Sequence, residues 1–251
     1  MKTSGNTILV TGGGSGIGRA LAQRWHDAGN TVIVTGRTAA SLEQSTAGRE
    51  AMHAMVLDVT DADAIGAFAS EVVARFPALN VLVNNAGIMI YEDVSAPRDL
   101  APAEAMIATN LLGPIRLTDA LLGHLSAQPG AAVLMVSSGL ASVPLAGAPT
   151  YSATKAAIHS YTQSLRWRLE GKVEVIEVAP PGVQTDLTPG QATRDGYLPL
   201  EDYANETIEI LAQYPSPPEV LVERVKGLRF AEANATYDQV FAMLNAPFRA
   251  G

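Results

Sequence analysis

Tyr151 and Lys155 stand four residues apart in PTYSATKAAIHSY (149–161), a stretch that otherwise reads as a helix. One helical turn separates such positions, so the phenol and the ammonium share a face. A nearby cation favours the phenolate, which is expected to draw the tyrosine below its ordinary value of about 10. A phenol tuned in that way is a usable proton donor near neutral pH. Pairs of this kind also occur on plain helix surfaces, so the rest of the chain has to decide.

Ser138 lies 13 residues before Tyr151, at the end of an apolar run. Two hydroxyl donors near one point suit a carbonyl oxygen that gains negative charge. The serine is no hydrolase nucleophile: SSG is not a nucleophile elbow, and no histidine is suitably placed. A further clue is Asn110, followed four residues later by Pro114. Proline has no N–H, so the Asn110 carbonyl loses its helical partner and the helix should kink. The freed carbonyl could hold a water that connects a buried lysine to solvent. A kink that merely fits the core explains the same spacing.

The elements that position these residues alternate between short apolar runs and longer helical stretches. Strands are expected at 7–11, 31–35, 53–57, 79–83, 131–136 and 172–178. Helices are expected at 16–29, near 39–46, over about 61–76 and 102–127, and from Tyr151 to about Glu170. The strands are continuous apolar runs, as in a parallel sheet buried on both faces. The β-α order predicts a single α/β domain over 1–251, a Rossmann-like doubly wound parallel sheet of six or seven strands with helices on both faces. Beyond Val178 the texture changes. Residues 180–200 are rich in Pro, Gly, Thr and Gln, and 186–215 is expected to form a substrate loop or lid. Helical patterns at 201–213, 217–229 and 234–245 suggest a helical C-terminal extension over 216–251.

TGGGSGIG (11–18) follows the first strand and opens the first helix. Glycines allow a tight turn and close approach to a pyrophosphate, and a helix N-terminus favours its charge. Gly12, Gly14, Ser15, Gly16, Ile17 and Gly18 are therefore candidates to hold a dinucleotide. A carboxylate at the end of the second strand would bind the ribose hydroxyls of NAD. That place reads Thr35, Gly36, Arg37, Thr38. Arg37, with help from Thr38, can pair with a 2′-phosphate, so NADP(H) is favoured over NAD(H). In open sheets of this kind ligands lie beyond the carboxyl ends of the strands. Those ends carry Asp58-Val59, Asn84-Asn85-Ala86-Gly87, Ser137-Ser138-Gly139 and Pro180-Pro181-Gly182. Asp58 could meet an adenine amino group or simply begin a helical turn.

Composition excludes several classes. There is no cysteine among the 251 residues, hence no disulfide, thiolate metal site or cysteine nucleophile. His26, His53, His124 and His159 form no metal-ligand spacing. A formal charge of −8 argues against nucleic acid. No apolar run reaches the length of a membrane span, and the apolar segment at the start is too short for a secretory signal, so a cytoplasmic, soluble protein without membrane partners is expected.

TGGGSGIG, NNAG (84–87), Asn110, Ser138 and YSATK (151–155) together resemble the short-chain dehydrogenases/reductases in their single-domain branch, over residues 7 to about 186. The resemblance implies a catalytic quartet. Tyr151 would exchange a proton with the substrate oxygen, and Lys155 would hold the nicotinamide ribose and tune Tyr151. Ser138 would polarise the carbonyl, and Asn110 would hold a relay water. It also implies cofactor contacts at Asn84, Ala86 and Gly87, at Asp58 and Val59, and along Pro181, Gly182, Val183 and Thr185. The implied activity is reversible hydride transfer between NADP(H) and a carbonyl or secondary alcohol, without a metal. A catalytically idle NAD(P)-binding sensor or scaffold is the alternative. APPG replaces the usual NPG after the sixth strand, and the usual last strand with its VDGG-like turn is not visible. The tail resembles a group of family members named after the lipoteichoic-acid D-alanylation operon. Without that strand a homodimer is expected rather than a tetramer, built on the outer faces of 102–127 and the Tyr151 helix (Leu112, Leu121, Ala156, Ala157). Met89, Leu140, Leu145, Pro181 and Tyr197 are expected in the substrate pocket, whose apolar lining favours a ketone with a hydrophobic body.

Overall fold

A computed structural model describes residues 1–213 and 215–248. The chain alternates strands and helices in the order β1 (Thr7–Thr11), α1 (Gly16–Asp27), β2 (Thr31–Gly36), α2 (Ala39–Thr46), β3 (Met52–Val56), α3 (Ala62–Arg75) and β4 (Leu79–Asn84). There follow α4 (Ala101–Ile107), a π-helical turn (Ala108–Leu112), α5 (Gly113–Leu125), β5 (Ala132–Val136), α6 (Pro149–Arg168) and β6 (Glu174–Val178). The C-terminal part adds α7 (Leu200–Leu211), β7 (Glu219–Val220), α8 (Lys226–Arg229) and α9 (Tyr237–Asn245). The strands form one parallel seven-stranded sheet in the order β3-β2-β1-β4-β5-β6-β7.

The continuous apolar runs have a direct cause. Successive side chains of a strand point to opposite faces, and here both faces are covered. Leu9, Ile33, Leu82 and Val133 enter one core with α3, α5 and α6. Ile8, Val10, Val32, Val34, Val81 and Val83 enter the other with α1, α2 and α7. Each such buried side chain contributes about 1.5–3 kcal/mol. Truncating the fully buried Leu82 to alanine would cost about 2–5 kcal/mol.

The strand order reverses between β1 and β4, and the chain leaves both strands at their carboxyl ends there. That is where a crevice must open. The long helical region at 102–127 is not one helix. Its backbone passes through a π-helical turn at Ala108–Leu112, directly before Pro114, the residue that cannot supply an amide.

The choice between six and seven strands is decided, and two expectations are corrected. A seventh strand exists: Glu219–Val220 pairs parallel with β6, Glu177 opposite Glu219 and Val178 opposite Val220. The 217–229 segment is therefore not one helix but this strand, a short 3-10 turn and α8. A two-residue strand is too short to show a period, while Val220, Leu221, Val222 and Val225 imitate a helical face. Leu121 is no surface residue but is fully buried between α5 and α3, whereas Leu112 and Ala156 do face outward. No helix among the described residues is long and apolar enough to cross a membrane.

Candidate active site

The crevice holds a cleft of about 430 Å³ that runs from the glycine turn and Arg37 to Ser138, Tyr151 and Lys155. Its floor is built at the β1–α1 turn. Gly12 and Gly16 have φ of 67° and 49°, where an L side chain is strained. A Cβ on Gly18 would lie 2.3 Å from the Gly12 carbonyl oxygen, so α1 can press onto the turn only with glycine there. Ser15 stands at the N-cap of α1 in extended conformation, and its side chain caps none of the first amides. Those amides are free to meet an anion.

Gly14, Ser15, Ile17, Arg37 and Thr38 all line the cleft, as the sequence suggests. So do Asp58 and Val59. Partial burial opposes ionisation of Asp58, but the amide and hydroxyl of Thr60 both donate to it, at 2.9 and 2.8 Å, and Arg37 lies near. Their joint effect holds its carboxyl below the usual range, so Asp58 stays an acceptor. Ala86, Gly87, Pro181, Val183 and Thr185 line the cleft too.

Asn84 does not. It is buried inside β4, where its amide donates to Thr118 Oγ1 at 3.0 Å and to Met135 Sδ at 3.4 Å. Adjacent strand residues face opposite ways, and Asn85 takes the cleft position instead. Asn85 Nδ2 donates to Thr11 O at 2.8 Å, and Thr11 Oγ1 accepts from the amides of Asn85 and Ala86 at 3.0 Å each. Thr11 and Asn85 thus staple the glycine turn to the end of β4. Gly182 also lies off this cleft, beneath the Tyr197 ring, whose nearest atoms would lie 3.0 Å from an added Cβ.

The three polar side chains converge from two elements. Ser138 follows β5, while Tyr151 and Lys155 share the inward face of α6. All three are buried and line the cleft. Lys155 Nζ donates to the Val136 carbonyl at 2.9 Å and lies 5.6 Å from the centre of the Tyr151 ring. Burial lowers Lys155 to about 8. Burial also raises Tyr151 to about 12; the Ser138 hydroxyl works against this and a charge on Tyr197 works with it. The expected lowering of Tyr151 by Lys155 is therefore absent in the protein alone. Desolvation acts against both charged forms and outweighs the pair.

Asn110 sits inside the π-helical turn, buried and off the cleft. Its Nδ2 donates to Ile88 O, and its Oδ1 accepts from Ile88 N, both at 2.9 Å. This paired contact fixes the segment after β4. A Cβ built on Gly87 would meet Asn110 Oδ1 at 3.3 Å and Lys155 Nζ at 3.7 Å. Asn110 and Lys155 thus approach the same point of the backbone. Met89, Leu140 and Leu145 pack around Tyr151, the last of them buried. Leu244 from α9 joins them, a contact that sequence reasoning did not offer; of the expected pocket residues only Pro181 lines the cleft, while Met89, Leu140 and Leu145 pack behind Tyr151 and Tyr197 lies over Gly182.

Two further positioning residues escaped the sequence. Gln191 Nε2 donates to Val183 O at 2.8 Å and to Thr185 Oγ1 at 3.2 Å, and Thr188 Oγ1 donates to Gln191 Oε1 at 2.8 Å. One buried amide thereby braces the segment that follows β6. Glu177, 1% exposed in β6, accepts from Ser137 Oγ and lies 2.7 Å from His159 Nδ1. It anchors the residue next to Ser138.

The model of the short chain dehydrogenase family matches residues 6–195. The oxidoreductase DltE of Bacillus subtilis (strain 168) is 39% identical over 251 residues, covering 98% of each chain. Sulfoacetaldehyde reductase 2 of Chromohalobacter salexigens is 36% identical over 186 residues, 72% of this chain and 74% of that protein. The closed form of a serine dehydrogenase complexed with NADP+ superposes with a TM-score of 0.77 at 26% identity, covering 85% of this chain and 93% of that one. A parallel sheet in this order, a glycine turn at its switch point and this likeness over most of the length lead to one conclusion: the chain belongs to the short-chain dehydrogenase family of oxidoreductases.

Proposed function

We propose that the protein is an NADP(H)-preferring oxidoreductase that interconverts a carbonyl and its alcohol. The convergence of Ser138, Tyr151 and Lys155 in a cleft whose far end presents Arg37 supports this reading most directly. The cleft fits the cofactor. Glycines stand where a Cβ would obstruct the turn, free amides face it, and no carboxylate follows β2. The relatives named as a reductase and as an NADP+-bound dehydrogenase support the same reaction class and cofactor.

When bound, NADP(H) supplies or accepts a hydride at the substrate carbon. In the reducing direction the carbonyl π bond breaks, a C–H bond forms, and the oxygen needs a proton. Tyr151 donates it from its phenol. Ser138 donates a hydrogen bond to the same oxygen as charge develops there. Lys155, held by Val136 O beside the Tyr151 ring, would hold the nicotinamide ribose and, when charged, would offset the phenolate left behind. Asn110 and Ile88 keep the facing wall fixed, so that the reacting groups stay aligned. The exposed apolar Ile107 and Leu112 belong to the same proposal as a homodimer contact, which sedimentation equilibrium tests.

The deciding experiment is Tyr151→Phe. Turnover of every carbonyl substrate should fall by about a hundredfold to ten-thousandfold, while NADPH binding followed by nicotinamide fluorescence stays close to wild type. Full turnover in the variant refutes the acid role. Tight NADPH binding by wild type with no turnover across a broad carbonyl panel would favour a dinucleotide-binding sensor instead.

A further inference from the structure

Arg194 stands on the loop between β6 and α7, three residues after Gln191; Asp186, Leu187 and Gln191 of that loop line the cleft. Arg194 Nη1 donates to Tyr91 Oη at 2.9 Å and to Tyr197 Oη at 3.3 Å, and its guanidinium lies 5.2 Å from the centre of the Tyr197 ring. Tyr91 belongs to the segment after β4, three residues beyond the cleft-lining Ile88, so one side chain links that segment to the loop after β6. The loop itself is tied down: Gln184 Nε2 donates to Arg194 O at 3.3 Å, and the Tyr197 amide donates to the same carbonyl. Among the described residues no carboxylate forms an ion pair with Arg194. Arg194 is thus held by two phenols and by no carboxylate among those residues.

The chemistry of the three groups suits an anion. Both phenols accept from Arg194, so each keeps its own O–H free to donate. Nε and the second nitrogen of the guanidinium form the fork that meets a carboxylate or sulfonate with two parallel bonds. The remaining hydrogen bond, from Nη2 to Pro189 O, is long at 3.5 Å. The site lies beside the cleft: Tyr197 packs on Gly182, between the cleft-lining Pro181 and Val183, and is close enough for its charge to act on Tyr151. The guanidinium is charged at any working pH.

We infer that Arg194, Tyr91 and Tyr197 form an anion-holding subsite, and that the substrate is a short carbonyl or alcohol compound bearing a carboxylate or sulfonate. The inference rests on the oxidoreductase reading and specifies its substrate. It replaces the hydrophobic-bodied ketone expected from the apolar lining.

The test uses the NADPH-loaded protein. Glyoxylate and succinate semialdehyde are each compared with their methyl esters, in wild type, Arg194→Gln and Arg194→Lys. The acid of at least one pair should exceed its ester in kcat/KM by about tenfold to a hundredfold, the effect expected of charge-assisted hydrogen bonds. Arg194→Gln should bring that ratio toward one, and Arg194→Lys should keep part of it. Wild-type reduction of esters as fast as acids overturns the subsite and leaves the oxidoreductase reading standing. Malonate titrated into the NADPH complex separates the two further. Binding that depends on Arg194, without turnover of any aldehyde, upholds the subsite and counts against the reaction. If malonate does not bind and acids are not preferred, the subsite is overturned.

Discussion

Lys155 donates to the carbonyl of Val136 at 2.9 Å and, among the described residues, forms no ion pair with a carboxylate. An ammonium 4% exposed and answered only by a carbonyl is costly to the fold. Burial has moved it from 10.5 to about 8. Between those values the unfolded chain holds a proton that the native chain has released, so stability rises with pH across that window. Below about pH 8 both states hold the proton, and the native state bears the whole penalty, roughly 3 kcal/mol. Lys155→Met removes the penalty and loses one hydrogen bond worth about 1 kcal/mol. The cofactor-free variant should gain about 2 kcal/mol at neutral pH by urea unfolding, with the gain fading as pH approaches the ordinary lysine value. Its turnover should be lost. A variant less stable than wild type at neutral pH would overturn this account.

Gly18 and Gly123 make opposite forecasts for the same substitution. An alanine methyl at Gly18 meets the Gly12 carbonyl oxygen at 2.3 Å and Asn85 Nδ2 at 2.4 Å, both parts of the staple between β1 and β4. Gly18→Ala should cost about 1–3 kcal/mol from overpacking and weaken NADPH binding. Gly123 lies in α5 with nothing within 4 Å of an added Cβ. Gly123→Ala should stabilise by about 0.5–1 kcal/mol, the ordinary helix propensity difference, with activity unchanged. Thermal unfolding and NADPH titration of both variants check the pair. Equal effects would mean that crowding at the turn is not what requires glycine.

What the sequence made legible follows from the length of each signal. The six longer strands and the glycine turn were readable because apolar runs and glycine spacing are local. The two-residue β7 was not, since its strand character comes from pairing with β6 rather than from its own pattern. The convergence of Ser138, Tyr151 and Lys155 was readable only with the family resemblance to hand. Their pKa shifts were not, because burial is a property of the whole fold. Asn84 and Asn85 look alike in sequence, and strand alternation alone decides which one reaches the cleft. Gln191 and Arg194 lie in a stretch without period, where no pattern marks a functional side chain. Only the folded loop brings Gln191 to Thr185 and Arg194 to Tyr91.

Glu177 is the deepest carboxylate beside the site. It takes the Ser137 hydroxyl on one oxygen and faces His159 on the other. Glu219, opposite it on β7, is held by Arg229 through bonds of 3.0 and 2.7 Å. His159, Glu177 and Glu219 offer ligand atoms within 4.8 Å of one another, but Ser137 already donates to Glu177 and Arg229 to Glu219, as in a charge network in which Glu177 is the buried member. Glu177→Gln keeps an acceptor for Ser137 and removes the charge that faces His159 and Arg229. Stability should fall by about 1–3 kcal/mol in urea unfolding. Because Ser137 adjoins Ser138, kcat should fall more than KM changes. Wild-type stability together with wild-type kcat would show that the network holds nothing in place.

Arg37 offers the clearest separation of affinity from stability. Its side chain is exposed at the end of β2, lines the cleft beside Thr38, and forms no ion pair among the described residues. Arg37→Asp removes a cation that can hold a 2′-phosphate with two charge-assisted bonds and supplies an acceptor for ribose hydroxyls. KM for NADPH should rise by about tenfold to a hundredfold, and KM for NADH should hold or fall. Thermal stability should change little, since no buried contact is lost. The new carboxylate lies near Asp58, whose ionisation Arg37 now favours, so the Asp58 pKa should move upward in the variant. Steady-state kinetics with both cofactors decide the matter. An unchanged ratio of NADPH to NADH efficiency would mean that Arg37 does not read the phosphate, and the cofactor preference would have to come from another part of the cleft.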